Sequence, residues 1–195
     1  MLLTILILFV LVVLCHFGIQ YYLNHQWNKK PLHNFPFLYR GKEYWYSRSV
    51  AVTHFVFCKN LNNEWCILAN ERGSGTPDYQ GYWNCPCGYL DFNENGEEAA
   101  QRETFEETGL YLKKENIKFW RVSTSPLNNR QNVSIFYYSV LDENCEDFKL
   151  SNKGSEKDEV SNIKWIPISN TSDYEWAFNH PSLIREIYNS VITNK

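Results

Sequence analysis

The sequence predicts an α/β domain, a mixed sheet with helices on both faces, preceded by one N-terminal transmembrane helix. Three observations lead there. Short runs rich in Val, Tyr, Phe and Thr, bounded by Asn, Gly and Pro, recur along the chain as strands do. Between them lies one acid-rich stretch with the start and stop signals of a short helix. Ahead of both, no Asp, Glu, Lys or Arg occurs from Met1 to Asn28.

That uncharged run comes first. Met1 to Leu14 is almost wholly Leu, Ile, Val and Phe. At about 1.5 Å per residue, a helix from Leu2 to Leu23 would reach roughly 33 Å, enough to cross the hydrocarbon core. Tyr21, Tyr22 and Trp27 supply an interfacial aromatic belt. A cleaved signal peptide would need a basic residue before the apolar run and small residues after it; the chain offers Gln20, Tyr21, Tyr22 and Leu23 there. The first basic residues, Lys29, Lys30, Arg40 and Lys42, follow the run, so the positive-inside rule places the remainder of the chain in the cytoplasm. The expected division is a transmembrane anchor over 1–24, a basic juxtamembrane linker over 25–43 facing acidic lipid headgroups, and one catalytic domain over 44–195. A chain of 195 residues, 44% hydrophobic and 16% aromatic, suffices for one good core.

In the domain, Trp45 to Val56 and Trp65 to Ala69 read as strands separated by a turn at Asn60 to Asn63. Trp83 to Gly88 is a third extended stretch. Lys118 to Ser123, Val133 to Leu141 and Ile163 to Ile168 follow as strands, with Trp120 and Trp165 as core residues. Glu175 to His180 and Ser182 to Ile192 read as helices with Pro181 as a breaker between them. Strands interrupted by one short helix and closed by C-terminal helices suit a mixed sheet covered on both sides.

The acid-rich stretch carries the chemistry. Asn95 with Glu98 three residues later is a variant of the capping box, Ala99 and Ala100 favour helix, and Gly109 is the expected left-handed stop about three turns on. Glu103, Glu106 and Glu107 stand at i, i+3 and i+4 and project from one face, where like charges cost roughly 0.2–0.5 kcal/mol per pair. Only Arg102 stands nearby to offset them. Such a face calls for a cation, and carboxylates without a His or Cys cluster point to a hard divalent ion, Mg²⁺ or Mn²⁺.

The segment from Gly88 to Leu110 resembles the signature of the Nudix hydrolases: Gly88, Glu94, Arg102, Glu103, Glu106, Glu107, Gly109 and Leu110 match in register. Thr104 departs from it, since a bulky aliphatic is usual at that place. With a background near 7% for each of the seven matched Gly, Glu and Arg identities, chance agreement is on the order of one in 10⁸ per start position. Gly81-Tyr-Trp-Asn-Cys-Pro-Cys-Gly is similar to the family's approach to the motif, with Cys87 in place of the usual small residue. Asp158-Glu-Val followed by Lys164-Trp-Ile-Pro is similar to its late acidic segment and strand.

The resemblance implies an α/β/α sandwich and a metal-dependent hydrolase that cleaves the pyrophosphate bond of a nucleoside diphosphate derivative. It implies that Glu103, Glu106 and Glu107 hold the metal, with the Cys87 or Gly88 carbonyl as a further ligand, and that Arg102 pairs with Glu94 to brace the loop. Glu103, Glu107 and Glu159 are the candidates for the base. Pro126, sixteen residues beyond Leu110, resembles the proline associated with ADP-ribose pyrophosphatases, so ADP-ribose or a nucleotide sugar is favoured. RNA decapping, nucleoside triphosphate hydrolysis and a non-catalytic nucleotide sensor are the alternatives.

Charge and cysteine usage bound these readings. A net charge of −3 disfavours a nucleic-acid groove, for which a basic patch is expected. Cys15, Cys58, Cys66, Cys85, Cys87 and Cys145 read as reduced, partly buried thiols, since Cys85-Pro-Cys87 lacks the second pair or His cluster of a zinc site. The glycosylation patterns at Asn132 and Asn170 are discounted in a chain so rich in Asn.

Overall fold

The computed structural model describes residues 11–19, 34–152, 154–155 and 158–193. The chain divides into two compact units, Met1–Ser47 and Arg48–Lys195. In the first, residues 11–19 are helical, with Leu11, Val12, Leu14, Phe17 and Ile19 exposed. Most of the expected span over 1–24 lies outside the described residues, as do Lys29 and Lys30. Among the described residues no helix is long and apolar enough to cross a membrane. The first unit also holds a hairpin of β1 (Phe35–Tyr39) and β2 (Lys42–Tyr46). Its two turn residues, Arg40 and Gly41, are both left-handed (φ 50° and 76°), as the tightest hairpin turns require. The strand expected to start at Trp45 is therefore divided, and Trp45 belongs to the hairpin.

The second unit is built on β3 (Ser49–Lys59), whose residues Val52 to Cys58 are all buried. A strand covered on both faces should read as a nearly continuous apolar run, and this one does. Beside it lie β4 (Trp65–Arg72), β5 (Trp83–Asn84) and β6 (Cys87–Tyr89), then β7 (Lys118–Ser123), β8 (Asn132–Asn144) and β9 (Val160–Pro167). The order β5-β4-β3-β8-β7 is mixed: β3 and β8 run parallel, while the other pairs are antiparallel. The sheet forks on one edge of β3. Phe57 to Lys59 pair with β4, while Ala51 to Thr53 pair with β6, and between them the His54 N–H donates to the Pro86 carbonyl at 2.9 Å. The expected single strand over Trp83 to Gly88 is accordingly two, broken at Cys85-Pro86.

Helices cover both faces. On one, Phe55, Phe57, Ile67, Phe136 and Ile166 pack against Leu183, Ile184 and Ile187 of α2 (His180–Tyr188). On the other, Val52, Ile117 and Tyr137 pack against Ala99 and Ala100 of α1 (Gly96–Thr108). Trp120 and Trp165 are partly buried against the core, as expected. The helix expected over Glu175 to His180 does not form. That segment lies beside β5, with Trp83 N–H donating to the Glu175 carbonyl and Ala177 N–H to the Trp83 carbonyl, both at 2.8 Å. Pro181 thus stands in the first turn of a single helix, where its missing N–H has no intrahelical partner to lose.

Cys58 and Cys145 differ from the expected reduced thiols: they form a disulfide with Cα atoms 5.7 Å apart across 87 positions of sequence. Cys66, Cys85 and Cys87 remain free.

Candidate active site

The acid-bearing helix begins and ends as its sequence dictates. Asn95 accepts the Glu98 N–H at 3.0 Å and the Glu98 carboxylate accepts the Asn95 N–H at 2.9 Å, closing a capping box. Gly109 closes the other end with φ 73°. Between them Arg102 gathers the acids. Its guanidinium donates to Glu94 Oε1 at 2.6 Å and Oε2 at 3.0 Å, to Glu103 Oε1 at 2.6 Å, to Glu106 Oε2 at 3.0 Å and to the Tyr89 carbonyl at 2.9 Å. The Arg102–Glu94 brace between helix and loop, implied by the resemblance, is present. Gly88 leaves room for Glu103: a Cβ there would lie 2.1 Å from Glu103 Oε1, and the carboxylate would have to shift.

Glu107 and Glu103 are poised against their charged forms. Glu107 is buried and accepts the Cys87 N–H through Oε2 at 3.2 Å. Burial pushes its carboxyl well above the usual carboxylate range, and the Glu103 and Glu159 charges push it further. Burial likewise raises Glu103 to about 7, against the opposing pull of Arg102. Glu159 reaches this cluster from the loop before β9, where Gly73 N–H donates to the Glu159 carbonyl and Gly75 N–H to the Asp158 carbonyl, both at 2.7 Å. Cys87 lines the same place, its thiol raised by burial and then by Glu107, and Asn84 donates to its sulfur at 3.2 Å. Pro126 sits in the exposed turn after β7, in a loop that Arg48 holds by donating to the Thr124, Asn129 and Asn132 carbonyls.

Among the described residues, no three His, Cys, Asp or Glu side chains converge closely enough to hold a metal ion. Arg102 draws Glu103 and Glu106 to itself instead. The donor set still fits a hard divalent ion: it is all oxygen, and Glu107 is a buried carboxylate whose charge goes uncompensated, the condition a cation relieves.

Thr104, the departure from the motif, has a structural reason. It is fully buried against His54, whose Nδ1 lies 2.8 Å from Thr104 Oγ1 and whose Nε2 lies 2.8 Å from Ser139 Oγ. Burial lowers His54 to about 3, so the ring is neutral and carries one N–H. One of the two hydroxyls must then turn its proton to the ring, away from the Ala100 or Asn116 carbonyl it otherwise meets at 2.6 and 2.8 Å.

Two side chains at the site had no sequence signal. Arg72, at the end of β4, pairs with Asp78 at 2.6 Å, and its charge opposes the upward shifts of Glu107 and Cys87. His180, buried and lowered to about 3 by desolvation and then by Arg72, accepts the Cys85 N–H through Nδ1 at 3.0 Å.

Fold and site together define a class: a mixed α/β sheet, split to receive a glycine-led loop, that sets a capped acidic helix against it. The NUDIX domain family matches residues 47–187, and the chain belongs to that family. Among solved structures, the NUDIX domain of Shewanella oneidensis NrtR complexed with ADP ribose is similar at 19% identity and TM-score 0.62, covering 75% of this chain and 90% of that one. A MutT/nudix family protein from Enterococcus faecalis follows at 20% identity and TM-score 0.61, covering 88% and 69%. A bifunctional NMN adenylyltransferase/ADP ribose pyrophosphatase from Francisella tularensis, complexed with AMP and a Mn ion, is similar at 20% identity and TM-score 0.59, covering 90% of this chain and 46% of that one.

Proposed function

We propose that this chain is a divalent-metal-dependent pyrophosphohydrolase acting on a small nucleoside diphosphate derivative, with ADP-ribose or a nucleotide sugar ahead of capped RNA and nucleoside triphosphates. The observation that carries the proposal is Glu107, buried beside the Cys87-Gly88 loop and accepting the Cys87 N–H at 3.2 Å, with the charges of Glu103 and Glu159 acting on it. Glu103, Glu106 and Glu107 would hold Mg²⁺ or Mn²⁺, with the Cys87 or Gly88 carbonyl. When bound, such an ion supplies neutralisation of the pyrophosphate oxygens and a more acidic water. Proton acceptance falls to Glu103, Glu107 or Glu159, of which Glu107 is the most buried and so the most in need of a proton when no cation is near. Arg102 holds Glu94 and the Tyr89 carbonyl, fixing the loop on which Gly88 sits.

The substrate ranking rests on charge. Two phosphates require little beyond the metal, whereas RNA requires several Lys or Arg along its backbone. The net charge of −3 favours the smaller ligand, and the S. oneidensis and F. tularensis structures hold ADP ribose and AMP. AMP release from ADP-ribose by the full chain with Mg²⁺ should exceed, in kcat/KM, both cap removal from RNA and triphosphate hydrolysis. A preference for capped RNA overturns the ranking; binding without any hydrolysis makes the chain a nucleotide sensor.

The proposal includes anchorage: residues 1–24 in a bilayer, lipid headgroups met by the basic residues that follow, and the Nudix domain in the cytoplasm. The uncharged run supports it, as does the helix at 11–19 with its exposed apolar side chains. The chain should stay with membranes through a carbonate wash, and release by carbonate defeats the anchor.

A further inference from the structure

A non-glycine residue in the left-handed region is uncommon, and for a bulky side chain it is costly. Two exposed aromatics of this domain accept that cost within touching distance of each other. Tyr79 has φ 51° and Phe178 has φ 59°, and their ring centroids stand 5.1 Å apart. Tyr79 comes from the loop joining β4 to β5, and Phe178 from the extended segment before α2, so 99 positions separate them in sequence. The rings retain 46% and 42% exposure, so packing against the core does not account for the strained backbone. Strain of this kind persists where a side chain must be aimed, which directs attention to what the two rings face.

Their surroundings tie them to the carboxylates. The Arg72 guanidinium lies over the Phe178 ring at 5.4 Å, and the same charge acts on Glu107 and Cys87. Behind Phe178 stands the His180 ring at 5.3 Å, which takes the Cys85 N–H two residues ahead of Cys87. Tyr82 meets Tyr79 edge-on at 5.7 Å and extends the aromatic surface. His180 is thus bonded to the loop that Glu107 holds, while Arg72 is held by Asp78 from the loop that carries Tyr79.

We propose that Tyr79 and Phe178, set by Arg72 and His180, form a stacking platform for the planar base of a nucleotide whose phosphates lie toward Glu107. The platform rests on the nucleotide reading above and deepens it, naming the surface that distinguishes a nucleotide from a bare sugar phosphate. Each nucleobase has a π-face, and stacking on an exposed ring accounts for about tenfold or more in binding. Arg72 serves both ends, as the charge between base and phosphate and as the brace under the ring.

The test compares AMP with ribose 5-phosphate, the two halves of hydrolysed ADP-ribose, by calorimetric titration of the full chain in detergent with Mg²⁺. Both carry the phosphate; only AMP carries the base. Wild type should bind AMP at least tenfold tighter, and Phe178→Gly should bring the ratio close to one. That substitution relieves the left-handed backbone, so its melting temperature should not fall, whereas a purely structural ring would lower melting and leave the ratio alone. Phe178→Tyr should restore the ratio. If Phe178→Gly does not fold, the same ratio measured in Tyr79→Gly decides. An AMP preference that survives both glycine variants, or none in wild type, overturns the platform. Failure of the chain to hydrolyse any diphosphate would overturn the enzymatic reading alone, since the binding ratio is measured without turnover.

Discussion

The two faces of the sheet are built from different materials. On the α2 face, large apolar side chains meet one another: Phe55, Phe57 and Ile67 from the strands, Leu183, Ile184 and Ile187 from the helix. On the α1 face, the helix offers Ala99, Ala100, Thr104 and Thr108, with Glu107 buried among them, and the strands answer with Val52 and Tyr137 beside the polar His54 and Ser139. Small side chains bury little apolar area, so α1 is held by its capping box, by Arg102 and by the Thr104–His54–Ser139 network as much as by the hydrophobic effect. Area is indifferent to small slides, whereas hydrogen bonds lose strength steeply with distance and angle. The α2 contact therefore supplies stability, and the α1 contact supplies placement for the carboxylates.

The sharpest way to break this contrast is Glu107→Gln. Turnover of ADP-ribose should fall at least a hundredfold, about 2.7 kcal/mol of barrier, while metal-free thermal melting holds, because burial already favours the neutral carboxyl that the amide resembles. Near-normal turnover would remove Glu107 from the chemistry. Next come matched truncations on the two faces. Leu183→Ala should cost about 2–5 kcal/mol in denaturant unfolding with kcat little changed. Thr104→Val leaves one His54 nitrogen unpaired; about 1–3 kcal/mol of stability should go, with a disproportionate loss of kcat. The reverse split between stability and kcat would sink the division of labour.

The smallest effect is in pH. Glu103 has a folded-state pKa raised to about 7 from the usual carboxyl value of 4.5, by burial. The folded state then binds the extra proton, so this stabilisation is complete below about 4.5 and is lost as pH rises through about 7. In EDTA, the melting temperature of wild type minus that of Glu103→Gln should decline over that window, a difference that cancels the buried histidines. Parallel curves would mean that Glu103 is not held away from its charge.

What was legible in the sequence was local. The capping box at Asn95 and the stop at Gly109 need only neighbouring residues, and they place α1 within its limits. The carboxylate face follows from helical spacing alone. Features that depend on distant partners were not legible. Thr104 gives no hint that it meets residues 50 positions back, and its departure from the motif makes sense only beside His54. The segment before α2 has helical composition, yet its backbone bonds go to β5, some 92 positions upstream. The Cys58–Cys145 bond joins residues 87 apart, which counting cysteines does not find. Arg40-Gly41 turns a hairpin although Asn-Gly or Asp-Gly would have signalled one.

The forked edge of β3 bears on how such a domain could acquire new partners. β4 and β6 grip separate stretches of that strand, residues 57–59 and 51–53, and the loop that carries Tyr79 is a hairpin loop between them, closed where β5 pairs back onto Asn70 and Glu71 of β4. Changes of length at the tip of that loop, beyond the Arg72–Tyr82 and Arg72–Gly81 backbone bonds that close it, leave the β4 and β6 registers in place, and with them Gly88 beside Glu103. On the proposal that Tyr79 meets the base, ligand choice can drift there in small heritable steps while the acidic helix stays as it was. In this architecture, innovation in what is recognised is uncoupled from preservation of what is done to it.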